Sequence, residues 1–137
     1  MAVQHKNKTI ATLLALLLGG LGAHRFYLKG PVDRLGLLHL CSLPVTGILW
    51  GAVQPHPFYV LLPLLVSYIA GFVEGLVIGL TPDEAWDARH NKGSGKNSRS
   101  NWVLALTLVL ILGVGAIMLI GTIARVFDLL YTGGSYG

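Results

Sequence analysis

The sequence is poor in charge. Asp, Glu, Lys and Arg together make up 12% of its 137 residues, about half the share of an ordinary soluble domain. With 53% hydrophobic residues, too little polar surface remains for a water-soluble globule. That composition excludes a disordered chain and an ordinary cytosolic enzyme. Cysteine is nearly absent: Cys41 stands alone inside an apolar stretch, so no intrachain disulfide framework is available.

Catalytic and ligand-binding patterns are also missing. There is no Ser/His/Asp or Cys/His constellation, and no base is placed for Cys41. Gly93-Ser94-Gly95-Lys96 looks like the end of a phosphate loop, but Asn97 stands where Ser or Thr is needed and no strand precedes it. The five histidines show no metal-ligand spacing, and Glu84, Asp87 and His90 on one short helix read as a solvated face. No catalytic residue, metal or cofactor is expected.

What the sequence does have is long apolar runs. Four stand out: Thr9 to Leu28, Leu35 to Val53, Phe58 to Leu80 and Trp102 to Ala124. About 20 apolar residues cross the roughly 30 Å of bilayer hydrocarbon. The expected fold is therefore all-α, a polytopic membrane bundle of four transmembrane helices. The first run spans only if Arg25 snorkels. The second must accommodate Pro44. Lys6 and Lys8 ahead of Ile10 to Gly22 mimic a signal peptide, but Leu21-Gly22-Ala23-His24-Arg25 is a poor cleavage site and no cleavage is expected.

The organisation expected is an N-terminal tail over 1–8, a membrane module over 9–93, a flexible linker over 94–101, an additional span over 102–124, and an interfacial segment with a disordered tail over 125–137. Gln54-Pro55-His56-Pro57 marks the turn of an added hairpin, unless part of Leu35 to Pro63 is re-entrant. Thr81 and Glu84 form a capping box for a short helix from Pro82 to His90, with Trp86 at the membrane interface.

Basic residues cluster in the gaps. In a four-span chain, Arg25, Lys29, Arg34, Arg89, Lys92, Lys96 and Arg99 face one side, and Lys6, Lys8 and Arg125 the other. Seven against three puts loops 29–34 and 81–100 in the cytoplasm and both termini outside, in the cell (inner) membrane. The net charge of +4 then meets anionic lipid headgroups at the basic loops rather than nucleic acid. A second copy of the chain or another membrane protein is the other partner expected.

Small residues recur at helical spacing: Ala11, Ala15, Gly19 and Ala23 on the first run, Gly71, Gly75 and Gly79 on the third, Gly47 and Gly51 on the second. Such faces let membrane helices approach closely. Glu74 shares its helix face with Ser67, Gly71 and Gly75. An ionisable residue at that depth is a functional candidate; its alternatives are a structural pair with Arg25 or His24, or a proton or cation site with His39. His39, Ser42 and Thr46 line one face of the second run, as a polar seam toward Ser67 and Glu74.

The stretch KNKTIATLLALLLGGLGAHRFYLKG resembles the TM-two domain family (the two-transmembrane-helix domain). The residues that carry the likeness are Gly19, Gly20, Gly22, Ala23, His24, Arg25, Phe26, Tyr27 and Leu28. Weaker similarities are Trp50 or Phe72-Val73-Glu74, with Glu74 where the family has aspartate, and TPDEAWDARHNKG. The resemblance runs from residue 6 to about 93 and implies membrane architecture more than activity. The function expected is a non-catalytic membrane interaction or scaffold protein, with a small transporter or channel subunit using Glu74 as the alternative.

Overall fold

The computed structural model describes residues 4–52 and 56–135. Six α-helices and no strand appear among them: α1 Lys8–Leu18, α2 Ala23–Lys29, α3 Arg34–Ala52, α4 Pro57–Leu80, α5 Asp83–His90 and α6 Trp102–Thr132, with one 3-10 turn at Gly19–Leu21. The start signals are local. Asn7 and Asn101 cap α1 and α6, their side-chain oxygens accepting from the amides of Ile10 (3.2 Å) and Leu104 (2.9 Å). Pro57 opens α4 at a position where its missing amide costs nothing.

Three helices, α3, α4 and α6, are long and apolar enough to cross a membrane. Among the described residues no fourth helix of that length accompanies them, so the four spans expected are not confirmed. α1 has 11 residues, about 16 Å of helix, roughly half the hydrocarbon thickness. The chain then turns through Gly19–Leu21 and Gly22, whose φ of 72° is left-handed and cheap only for glycine. α2 returns toward the end it came from. The Asn7 amide donates to the Tyr27 hydroxyl at 2.8 Å, and the Lys6 ammonium donates to the Tyr27 carbonyl at 2.8 Å. The first run thus folds back on itself as a short helical hairpin, while Leu35 to Ala52 lies in one continuous helix despite Pro44. The proposed turn at Gln54-Pro55 lies outside the described residues, as do the last two residues of the tail.

This hairpin changes which groups share an end of the bundle. Lys8 is 4% exposed. Its ammonium donates to the Thr81 carbonyl (2.8 Å) and to Ser100 (3.0 Å), and it pairs with Asp83. The N-terminal residues therefore sit with loops 29–34 and 81–100, not opposite them. At the other end Arg125 approaches His56.

α4 is the axis against which α1, α3 and α6 pack. A Cβ placed on Gly71 would lie 2.6 Å from the Gly19 backbone, and one on Gly75 would lie 2.9 Å from Ala15 and Ile111. One on Gly79 would meet Leu108 at 2.5 Å and Thr12 at 3.2 Å. Ala11 and Ala15 are fully buried. The Gly71, Gly75 and Gly79 face is therefore consumed within the chain. Gly47 and Gly51, by contrast, have nothing within 4 Å of an added Cβ, so that pair is not a contact here.

Three local expectations are corrected. Thr81 makes no capping box: its hydroxyl donates back to the Val77 carbonyl at 2.7 Å, closing α4, and Pro82 precedes α5 without a side-chain cap. Trp86 does not present its ring to the surroundings: it is 1% exposed, packed inside the protein with its indole donating to the Lys6 carbonyl at 3.0 Å. The 125–131 stretch is no separate interfacial segment: α6 continues through it for 31 residues in all, ending at Gly133 with φ 67°.

Candidate functional site

The centre of the hairpin–α4 contact is polar. His24 and Arg25 lie in the first turn of α2, just after the left-handed Gly22, which aims both side chains at α4. The Arg25 guanidinium grips Glu74 with two parallel bonds, Nε donating to Oε2 at 2.6 Å and Nη2 to Oε1 at 2.8 Å. That bidentate geometry is the strong form of a charge-assisted pair. Its Nη1 donates to Asp33 at 3.2 Å, and the same Asp33 oxygen accepts the Gly36 amide at 2.8 Å. Asp33 thereby ties Arg25 to the first turn of α3. His24, with no exposed surface, lies with Nε2 at 2.5 Å from Glu74 Oε2.

A second chain of bonds runs deeper. Ser67 donates its one hydroxyl proton to the Gly20 carbonyl at 2.7 Å, which can only accept. His39 Nδ1, 2.8 Å from the same oxygen, must therefore be the donor. That leaves His39 Nε2 facing Glu74 Oε1 at 3.6 Å. The seam stops there. Ser42 Oγ and Thr46 Oγ1 are buried and find no hydrogen-bond partner among the described residues, and neither does His24 Nδ1.

His24, His39 and Glu74 offer ligand atoms all within 4.8 Å of one another. Sequence spacing did not reveal this set, because its members come from three different helices. The set has the donor types for a transition metal, but the guanidinium on the same carboxylate opposes a divalent cation in a low-dielectric site. Next to this cluster a cavity of about 500 Å³ opens between α3 and α4, apolar except for His39, Ser42, Ser67 and Glu74.

The family-motif residues divide by role. Gly19 and Gly20 permit close approach, Gly20 under the Tyr68 ring; Gly22 makes the turn; His24 and Arg25 bind Glu74. Phe26 packs over Gly36, and Tyr27 closes the hairpin on Lys6 and Asn7.

A polar lid covers the same end. Asn91 accepts the Lys6 amide at 2.7 Å. Asp87 accepts from the Ser98 amide and hydroxyl, both at 2.6 Å, and from Asn91 at 2.7 Å. Bonds from Ser98, then Asn91, hold its pKa down to about 2. The Asp83 carboxyl is also held below its ordinary range, first by the bond from Lys8. The expected flexible linker is thus pinned at Ser98 and Ser100, and Asp87 is not a merely solvated residue.

No curated protein and no solved structure matches the chain. A family match covers the hairpin and α3, so Glu74 and the 81–93 segment lie beyond it, and the match is shorter than the resemblance read from the sequence. Within that stretch the likeness is specific: residues 4–52 of this membrane protein match the family model of the TM2 domain.

Proposed function

We propose that this chain is a non-catalytic membrane interaction or scaffold protein of the inner cell membrane, without a cofactor and without a nucleic-acid partner. One observation carries the reading. The intramembrane carboxylate is already taken up by Arg25 and His24, so it ties the hairpin to α4 instead of standing free for chemistry. The partners proposed are the bilayer, through anionic headgroups at loops 29–34 and 81–100, and a second copy or another membrane protein against the exposed apolar faces.

The sidedness proposed follows from the hairpin. With three spans, Lys6, Lys8, Arg25, Lys29, Arg34, Arg89, Lys92, Lys96 and Arg99 share one end and only Arg125 lies at the other. Nine against one supports a cytoplasmic N-terminus and basic loops, and an external C-terminus. The test is purification of the full chain in mild detergent with mass spectrometry of what accompanies it. A stoichiometric protein partner or a defined homo-oligomer is expected.

A second reading, a small proton-coupled transporter or channel subunit, has one observation in its favour: His39 Nε2 facing Glu74 at 3.6 Å. A monomer without protein partners, whose proton flux in vesicles disappears on Glu74→Gln, would replace the scaffold reading with this one.

A further inference from the structure

Between α2, the last turns of α4 and α5 lies a cavity of about 330 Å³ distinct from the groove of α3 and α4. Its inner wall is apolar, from Leu28, Val77 and Ile78, and its rim is basic, from Lys29, Arg89 and His90. α4 ends at Leu80, so Val77 lies only about 5 Å along the axis from that end. The wall thus belongs to the outermost hydrocarbon and the rim to the headgroup layer.

The rim lacks its counter-charge. Arg25 and Glu74 also line the cavity, but each is spent on the other. Lys29 reaches Asp33 only at 4.0 Å and is 56% exposed. Arg89 has no hydrogen bond or ion pair among the described residues. His90 is fixed by its ring contact with Trp86, 4.3 Å between centroids. Its pKa is lowered by burial first and then by the positive charges of Arg89, Lys29 and Lys6. Basic side chains from two helices are thus gathered above an apolar wall, which is how an amphiphile with an anionic head is recognised.

We propose that this cleft binds one anionic phospholipid, its phosphate among Lys29, Arg89 and His90 and the start of an acyl chain along Leu28, Val77 and Ile78. The proposal rests on the membrane reading above and turns a diffuse attraction of basic loops into one discrete site. It does not depend on which face is cytoplasmic, and the co-purification test does not depend on lipid charge, so either can fail alone.

The test uses the full chain in uncharged detergent, titrated with phosphatidylglycerol, phosphatidylcholine or inorganic phosphate, with retained lipid counted by native mass spectrometry. One phosphatidylglycerol per chain is expected, in preference to phosphatidylcholine and without displacement by inorganic phosphate. Removing two basic residues in Lys29→Gln/Arg89→Gln should weaken binding roughly 30-fold. Lys96→Gln/Arg99→Gln makes the same charge change outside the cleft and should leave binding within about threefold. Val77→Trp fills the cleft without altering charge; Val77 is 62% exposed, so the variant should fold, and it should also lose the lipid. Equal losses in the two charge variants would overturn the site in favour of diffuse attraction. Full binding by Val77→Trp would remove the acyl seat, and displacement by inorganic phosphate would reassign the rim to a free anion.

Discussion

Glu74 sits six residues before the end of α4, about 9 Å along the helix axis, where an unpaired carboxylate would be costly. Arg25 answers it with a bidentate grip, and Asp33 accepts from the guanidinium's third nitrogen, Nη1. Removing one partner leaves the other stranded, which costs more than removing both. Glu74→Gln or Arg25→Gln alone should therefore lower stability by about 3 kcal/mol, and the double variant should recover part of it. Thermal unfolding of the four proteins in detergent gives the coupling energy directly, and a value near zero would show that the pair contributes nothing beyond its separate members.

At the level of elements, the hairpin is held by backbone approach and the lid by carboxylates. Gly71→Ala drives a Cβ to 2.6 Å from the Gly19 backbone, where no side chain can swing away. It should cost about 1–3 kcal/mol, the usual range for overpacking. Gly47→Ala meets nothing within 4 Å and should be neutral or stabilising by a few tenths to about 1 kcal/mol. Equal melting temperatures for the two would remove the close-approach account. In the lid, Asp83 and Asp87 bind protons less readily folded than unfolded, Asp87 with a pKa of about 2. The stability they contribute is therefore present above the unfolded Asp value of about 3.9 and is lost as pH falls through the folded values. With Trp50→Phe and Trp102→Phe leaving Trp86 as the sole tryptophan, its emission should move to the red between pH 5 and 2. A flat emission would mean that these carboxyls do not hold the lid.

For the whole molecule, the three candidate spans would place the termini on opposite faces of the membrane. In a Cys41→Ser background, Gln4→Cys and Ser94→Cys should react with an impermeant thiol reagent from one membrane face, and Ser135→Cys from the other. Labelling of Gln4→Cys and Ser94→Cys from opposite faces would restore a fourth span. The count matters beyond bookkeeping, since the hairpin moves Lys6 and Lys8 to the basic end and raises the charge asymmetry from seven against three to nine against one.

Composition and run length alone determined that this is a helical membrane protein, because apolar content and the scarcity of charge do not depend on how helices meet. The motif from Gly19 to Tyr27 and the isolated position of Glu74 were likewise visible in the chain, as were the small-residue faces. Their use was decided by tertiary structure. A first run with fourteen uncharged residues between Ile10 and Ala23 is long enough on paper to span with help. Only the left-handed turn at Gly22 and the return of Tyr27 to Asn7 show that it folds back. The chain offered Arg25, His24 and His39 only as alternative partners of Glu74; that all three gather around it, and that Trp86 is buried, was decided in three dimensions. Those side chains meet across separate helices, and periodicity within one helix specifies a face but not the neighbour that the face will find.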